Sequence, residues 1–433
     1  MDKVLQLFKS STSLLPSTAA SATSVYSGGS SNLTMSELFL QALPAEILNQ
    51  ILAYLDPLSL LSLSRTSHLL RNHAQNDLLW DRLVSENVPR PVQSPSPCLS
   101  WKDLYLGHYP YWFLPRHKLW FSDKVSSGST MTGNVVIALY DQQRGCIEAY
   151  RLVAEHGPHT IHQWEWNPDV IIHTFNPKVQ LWRDDPVIKL HVRSSDSRGR
   201  SQMETPMPTG AAHGVRSMIS LCQIIPDEQQ DESMALWPPA ICPAPHRVRN
   251  KSSTMFRGEA CKPAIMAEAS DSTFRIRRWV DPGSMRAHLG IRIGEDVMTF
   301  STLTEESYKP TKEKPWQGIW VGDYAGHGCE FLFVLQKDVE GPAPDTMLDR
   351  LPGGTEIDRS CTGRLEAIKL TGDNNVPRGE YTWIAEDIGT KGIIRIAQED
   401  IFKGARVVRS RGNTAVRGYR NRKSSVQHFD MRQ

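Results

Sequence analysis

The 433-residue sequence predicts a multidomain α+β chain: a small helical module followed by a mainly antiparallel β-barrel. Two observations carry this. A leucine-rich stretch over 38–90 repeats its apolar residues at helical spacing, which gives one apolar stripe per helix. From Gly133 onward, short runs of β-branched and aromatic residues are punctuated closely by Gly and Pro, the pattern of a barrel or sandwich built from many short strands.

Length and composition bound the rest. A chain of this size suggests two or three domains. Hydrophobic residues at 39% and charged residues at 22% are ordinary for a soluble globular chain. No run of about eighteen apolar residues is present to span a membrane. Seven cysteines, an odd number with no C-x-x-C pair, read as reduced thiols of the cytosol or nucleus. Residues 1–37 are rich in Ser, Thr and Ala, lack the apolar core of a secretory signal, and are expected to be disordered. The formal net charge of +2 hides an asymmetry: from Phe402 onward there are nine Lys/Arg and a single acid, Asp430, so the remainder carries an acidic excess. The polar, basic stretch 421–433 reads as a solvated tail, and nothing supports a specific nucleic-acid function.

Taken in order, a first helix carries Ile47, Leu48, Ile51, Leu52 and Leu55 on one stripe. Pro44 sits where the first helical turn tolerates it. Asp56-Pro57 breaks the helix. A second helix follows through Leu60, Leu61 and Leu63, a third through Leu69, Leu70 and Ala74, and a fourth through Leu78, Leu79, Trp80 and Leu83. Residues 91–116 form a Pro/Ser-rich linker and an aromatic joint with Trp101, Tyr105, Tyr111, Trp112 and Phe113. The barrel-like domain spans 117–420. Its strands are expected at Asn134–Tyr140, Cys146–Val153, His162–Trp166, Val170–Phe175, Val187–Val192, Phe274–Trp279, Trp316–Tyr324, Glu330–Leu335, Gly363–Leu370, Tyr381–Ala385 and Gly392–Ile396. The stretch 194–272 loses β alternation and is read as a largely disordered insertion, except for the apolar segment Met218–Ile225, which is expected to pack as a short helix or strand.

The ordered run Leu43-Pro44-Ala-Glu46-Ile47-Leu48-Asn-Gln-Ile51-Leu52-Ala-Tyr54-Leu55-Asp-Pro57, continued by Leu60-Leu61-Ser-Leu63-Ser-Arg65 and a late Leu79-Trp80, closely resembles an F-box. So small a helical module cannot bury all these leucines internally, so an excess apolar face calls for a protein partner. The resemblance implies that this partner is Skp1 and that the output is ubiquitination by a cullin-RING ligase. It points to Leu43, Pro44, Ile47, Leu48, Ile51 and Leu55 as the Skp1 face, joined by Leu61, Leu63 and Trp80, which also have an internal role open to them.

A second segment, Gly322-Asp323-Tyr324-Ala-Gly-His327-Gly328-Cys-Glu330, reads as strand, Gly-rich bend and strand, with Trp320 nearby. It precedes the turn-rich Leu370-Thr371-Gly372-Asp373-Asn-Asn-Val-Pro377-Arg-Gly379. Together these resemble the substrate-receptor domain of F-box-only protein thirty-one and its fungal relatives. That implies a barrel holding a degron, with Trp320, Asp323, Tyr324, His327 and Glu330 as substrate-binding candidates. In those relatives the barrel continues past the position where this chain turns basic, which implies a barrel incomplete at its C-terminus. No G-x-S-x-G, P-loop or HExxH is present, so a non-catalytic adaptor of a Skp1-cullin-F-box ligase is expected, without cofactor. The alternative is a small-ligand-binding barrel that carries an F-box. His213, Cys222, Cys242 and His246 have ligand types that suit zinc, but their spacing is irregular, and no metal is assigned.

Overall fold

The computed structural model describes residues 43–122, 133–193, 203–208, 215–223, 236–237, 248–249, 263–280, 296–324, 328–338, 362–372, 378–389, 391–415 and 424–432. The expected disordered segment 1–37 lies outside them. The chain divides into two compact units, with the boundary between Ala74 and Gln75.

Among its described residues the first unit holds three short helices: α1 (Ala45–Leu52), α2 (Pro57–Leu63) and α3 (His68–Ala74). Pro44 caps α1 with extended backbone. Asp56 both ends that segment and starts the next. Its carboxylate accepts the backbone N–H groups of Leu58 (2.9 Å) and Ser59 (3.0 Å) and the Ser59 hydroxyl (2.6 Å). Pro57 then occupies a position in the first turn where no N–H is missed. The Ser59 hydroxyl, with these backbone donors, holds the Asp56 carboxyl below the usual range. Asn49 on α1 and His73 on α3 are tied side chain to side chain at 2.9 Å.

The second unit opens with α4 (Asp77–Ser85), α5 (Trp101–His108) and α6 (Phe113–His117). Asn76 and Ser100 cap the first two through their side-chain oxygens. Trp80 is fully buried and lies 5.6 Å from Tyr105, ring to ring. The indole N–H groups of Trp112 and Trp120 donate to the Tyr105 and Leu114 carbonyls. The fourth helix of the stretch 38–90 packs through Trp80 into this aromatic cluster. Within 91–116, Leu104, Tyr111, Trp112 and Phe113 are core residues.

Beyond α6 the unit is antiparallel sheet. The strands are β1 (Leu119–Ser122), β2 (Asn134–Asp141), β3 (Cys146–Glu155), β4 (His159–Trp164), β5 (Asn167–Phe175), β6 (Lys178–Trp182) and β7 (Ile188–His191). They continue as β8 (Glu204–Met207), β9 (Val215–Gln223), the two-residue pair β10 (Leu236–Trp237) and β11 (Val248–Arg249), β12 (Ala269–Val280) and β13 (Asp296–Ser301). A short helix α7 (Glu305–Tyr308) leads to β14 (Gly318–Asp323), β15 (Cys329–Lys337), β16 (Arg364–Lys369), β17 (Tyr381–Ala385), β18 (Ile393–Ile396), β19 (Arg406–Ala415) and β20 (Ser424–Arg432).

The first large sheet has the order β6-β3-β2-β1-β13-β12-β9-β8, with β7 beside β6 along the same side of β3. The second has the order β14-β15-β16-β17-β19-β18, with β20 along the other side of β19. Each sheet supplies half of a barrel-like wall around a shared core. Leu119, Phe121 and Val135 of the first sheet meet Phe331, Phe333 and Ile368 of the second. The β4–β5 hairpin packs Trp164 against Ala397 and Val407.

Within the stretch 194–272 the described residues include β8 and β9, and β9, which takes in most of the apolar segment Met218–Ile225, is an inner strand that pairs β12 from Val215 through Gln223. Its apolar side chains Ile219 and Leu221 are buried although the flanking sequence is polar. The basic tail 421–433 supplies β20, whose backbone covers β19 from Ala415 to Val407. The polar composition of that segment concealed the strand.

Candidate functional site

The helical unit divides its apolar residues between inside and outside. Leu48, Leu52, Leu60 and Leu70 are buried, while Ile47 (43% exposed), Ile51 (38%), Tyr54 (88%) and Leu58 (51%) face solvent. Ile47, Ile51 and Tyr54 are spaced four and three residues apart, so they form one stripe along α1 and its end. An exposed run of this kind on a small helical unit marks an interaction surface. Of the sequence candidates, Pro44 is exposed, and Leu43, Leu55, Leu61 and Leu63 are half-buried. Leu48 and Trp80 are buried, which for Trp80 is the internal role left open to it. Tyr54 and Leu58 were missed. For Tyr54 the signal was available, since it lies seven residues after Ile47.

In the second unit the two motif segments come together. The Leu370 N–H donates to the Phe331 carbonyl (2.9 Å), and the Thr371 hydroxyl accepts the Phe331 N–H (2.9 Å). Beside this junction sits a buried charged group. The Lys369 ammonium lies 2.7 Å from a Glu330 carboxylate oxygen and 4.1 Å from the centre of the Tyr324 ring, and both charged side chains are inside the protein. The Tyr324 hydroxyl bonds Thr382 on β17 at 2.8 Å. Gly322 makes room for this arrangement, since a Cβ there would lie 2.9 Å from the Tyr324 ring. Gly328 has a different reason: nothing is near it, but its φ of +86° suits glycine. Arg378, at the end of the second motif, is also buried, and burial pushes its pKa well down.

Asp323 closes the group on the other side, with its carboxylate 3.3 Å from His156 Nδ1 in the turn after β3. Glu330, Asp323 and Tyr324 are therefore held by partners within the fold. Trp320 is different: it is 43% exposed, and its N–H donates to the Trp316 carbonyl at 3.1 Å. His327 lies outside the described residues, as do His213, Cys242 and His246. Cys222 is a buried thiol in the shared apolar core, which removes it as a zinc ligand. Among the described residues no group of His, Cys, Asp or Glu is placed to hold a metal ion. Sequence reasoning missed Lys369 and Thr382. A lysine at the end of an otherwise buried strand, just before the turn-rich motif, was the available sign.

Residues 40–86 match the family model described as F-box-like. The chain carries an F-box-like domain. The matched residues take in all four N-terminal helices, α1 to α4, and so span both sides of the division at Ala74. Residues 300–429 match a second family model, described as a cyclin D1 binding domain. That match begins at the end of β13 and runs through most of β20, so it includes both motif segments and the stretch expected to be a tail. A search of curated proteins returned no match.

Proposed function

We propose that the chain is a substrate-recognition adaptor of a Skp1-cullin-RING ubiquitin ligase, itself non-catalytic. The observation that carries this is the coincidence of the F-box-like match with the exposed stripe Ile47, Ile51 and Tyr54. An F-box supplies its partner with apolar surface, and this stripe is apolar surface that the unit does not bury. On this reading Skp1 takes the stripe and the half-buried Leu43, Leu55, Leu61 and Leu63 at its margin. Protein substrates bind the second unit. The description of the model matched by 300–429 names cyclin D1, and a protein partner of that kind on the second sheet is part of the proposal. Trp320, on the exposed side of β14, is the motif residue best placed to touch it. Reduced cysteines such as Cys146 and Cys329 suit the cytosol or nucleus.

The test is reconstitution. Full-length protein produced together with Skp1 should purify as a stoichiometric complex. Added cullin and RING subunits should then ubiquitinate proteins that the second unit captures. A folded chain that leaves Skp1 behind on the column would defeat the proposal.

A further inference from the structure

On the face of the first sheet away from the shared core lies a cavity of about 180 Å³. Alternation decides which side chains reach it. Leu119, Phe121, Val135, Ile137 and Leu152 point into the shared core, so Asn134, Val136 and Arg151 point the other way. Arg278 follows Phe274 and Ile276 along β12 on that same outer face. The cavity is lined by Arg151 and Arg278, by the apolar Val136, Val187, Met298 and Phe300, and by Asn134 and Asp185.

The two arginines are the feature without a structural explanation. Elsewhere in this unit arginines are matched: Arg144 to Asp141, Arg364 to Glu366 and Arg395 to Glu399. Among the described residues Arg151 and Arg278 make no ion pair. The acid that lines the cavity with them is the exposed Asp185. Two half-buried guanidinium groups in one recess create a positive potential, and their planar forks suit carboxylate or phosphate oxygens. Size narrows the ligand. Small-molecule pockets usually run from roughly 300 to 1,000 Å³, so this recess admits one side chain rather than a cofactor-sized body.

We propose that the cavity receives a single anionic side chain of a substrate peptide, a carboxylate or a phosphate ester, held by Arg151 and Arg278. A neighbouring apolar residue of that peptide then lies on Met298 and Phe300. The inference rests on the reading of the second unit as the substrate-binding part.

The experiment uses the full chain and labelled peptide pools, degenerate except for one central position followed by leucine. That position is Glu, Gln, phosphoserine or Ser. Retention of Glu over Gln or of phosphoserine over Ser should be about tenfold or more, as charge-assisted bonds give, and the better arm identifies the anion. Arg151→Gln with Arg278→Gln should erase the preference. Asp185→Asn should raise retention of the anionic pools roughly twofold or more by removing a repelling charge, which keeps the test decisive if the double variant does not fold. Equal retention of charged and neutral pools, a preference that survives the double change, or no gain in Asp185→Asn would overturn the proposal. Skp1 capture is scored on the same preparations. Its loss with the anion preference intact defeats the adaptor reading alone, and its presence without the preference defeats only the cavity's role.

Discussion

Ile47 and Ile51 stand in water on α1, while Glu330 and Lys369, which carry charge, lie buried at the end of the second sheet. Ile47, Ile51 and Glu330 sit inside the chain's most informative sequence segments, and Lys369 directly precedes one of them. In the first region the fold leaves apolar surface unmet, and a second protein is the natural way to cover it. In the second region it has taken charge out of water and answered that cost with close partners. On the proposed reading an informative motif marks an interface in one unit and internal architecture in the other. The difference tells which substitutions act through stability and which through binding.

The largest expected effect breaks the buried pair. Lys369→Met strands the Glu330 carboxylate and should cost about 3–5 kcal/mol, read by denaturant unfolding. A cost under about 1 kcal/mol would mean that this end of the sheet is open to water and belongs with the interfaces. Next is a pH effect elsewhere in the second unit. Burial in the aromatic cluster, opposed by the bond that the ring Nε2–H donates to the Gly145 carbonyl, lowers the His108 pKa to about 4. The unfolded chain therefore binds this proton at higher pH than the folded one. Stability should fall as pH drops from about 6.5 towards 4, by roughly 3 kcal/mol, and level off below. His108→Gln should flatten that part of the profile. Gly322→Ala should cost about 1–3 kcal/mol by driving a methyl into the Tyr324 ring. In the helical unit, Asp56→Ala should cost about 1 kcal/mol through the lost cap of α2. Smallest of all, Trp320→Ala should leave stability within about 0.5 kcal/mol while weakening substrate capture. A large loss of stability there would move Trp320 to the architectural side.

The α+β order was legible because both periodicities are strong: Ile47, Leu48, Ile51 and Leu52 at helical spacing, and runs such as Asn134–Tyr140 and Glu330–Leu335 between turns. Other features were not. β8 and β20 are set in polar or Pro-rich sequence, so their pairing with β9 and β19 comes from tertiary context rather than from local pattern. The division at Ala74 was hidden because Trp80 belongs to a motif read as one module, yet its ring is packed against Tyr105. At the site, a stripe of apolar residues does not say which of two adjacent members faces inward, so Leu48 and Ile47 could be told apart only in three dimensions. The ring contact joins Lys369 at the end of β16 with Tyr324 just past β14, two residues far apart in sequence, and left no mark in either motif alone.

The most direct test of the adaptor account compares two adjacent positions on α1 in the full chain. Skp1 affinity and unfolding midpoint are measured for Ile47→Asp with Ile51→Asp, and separately for Leu48→Asp. The account predicts that the exposed pair loses Skp1 by a hundredfold or more, at about 2.7 kcal/mol or above, with an unchanged midpoint. Leu48→Asp should instead unfold the helical unit, because it buries a charge. Undiminished Skp1 binding in the folded Ile47→Asp, Ile51→Asp protein would contradict the account.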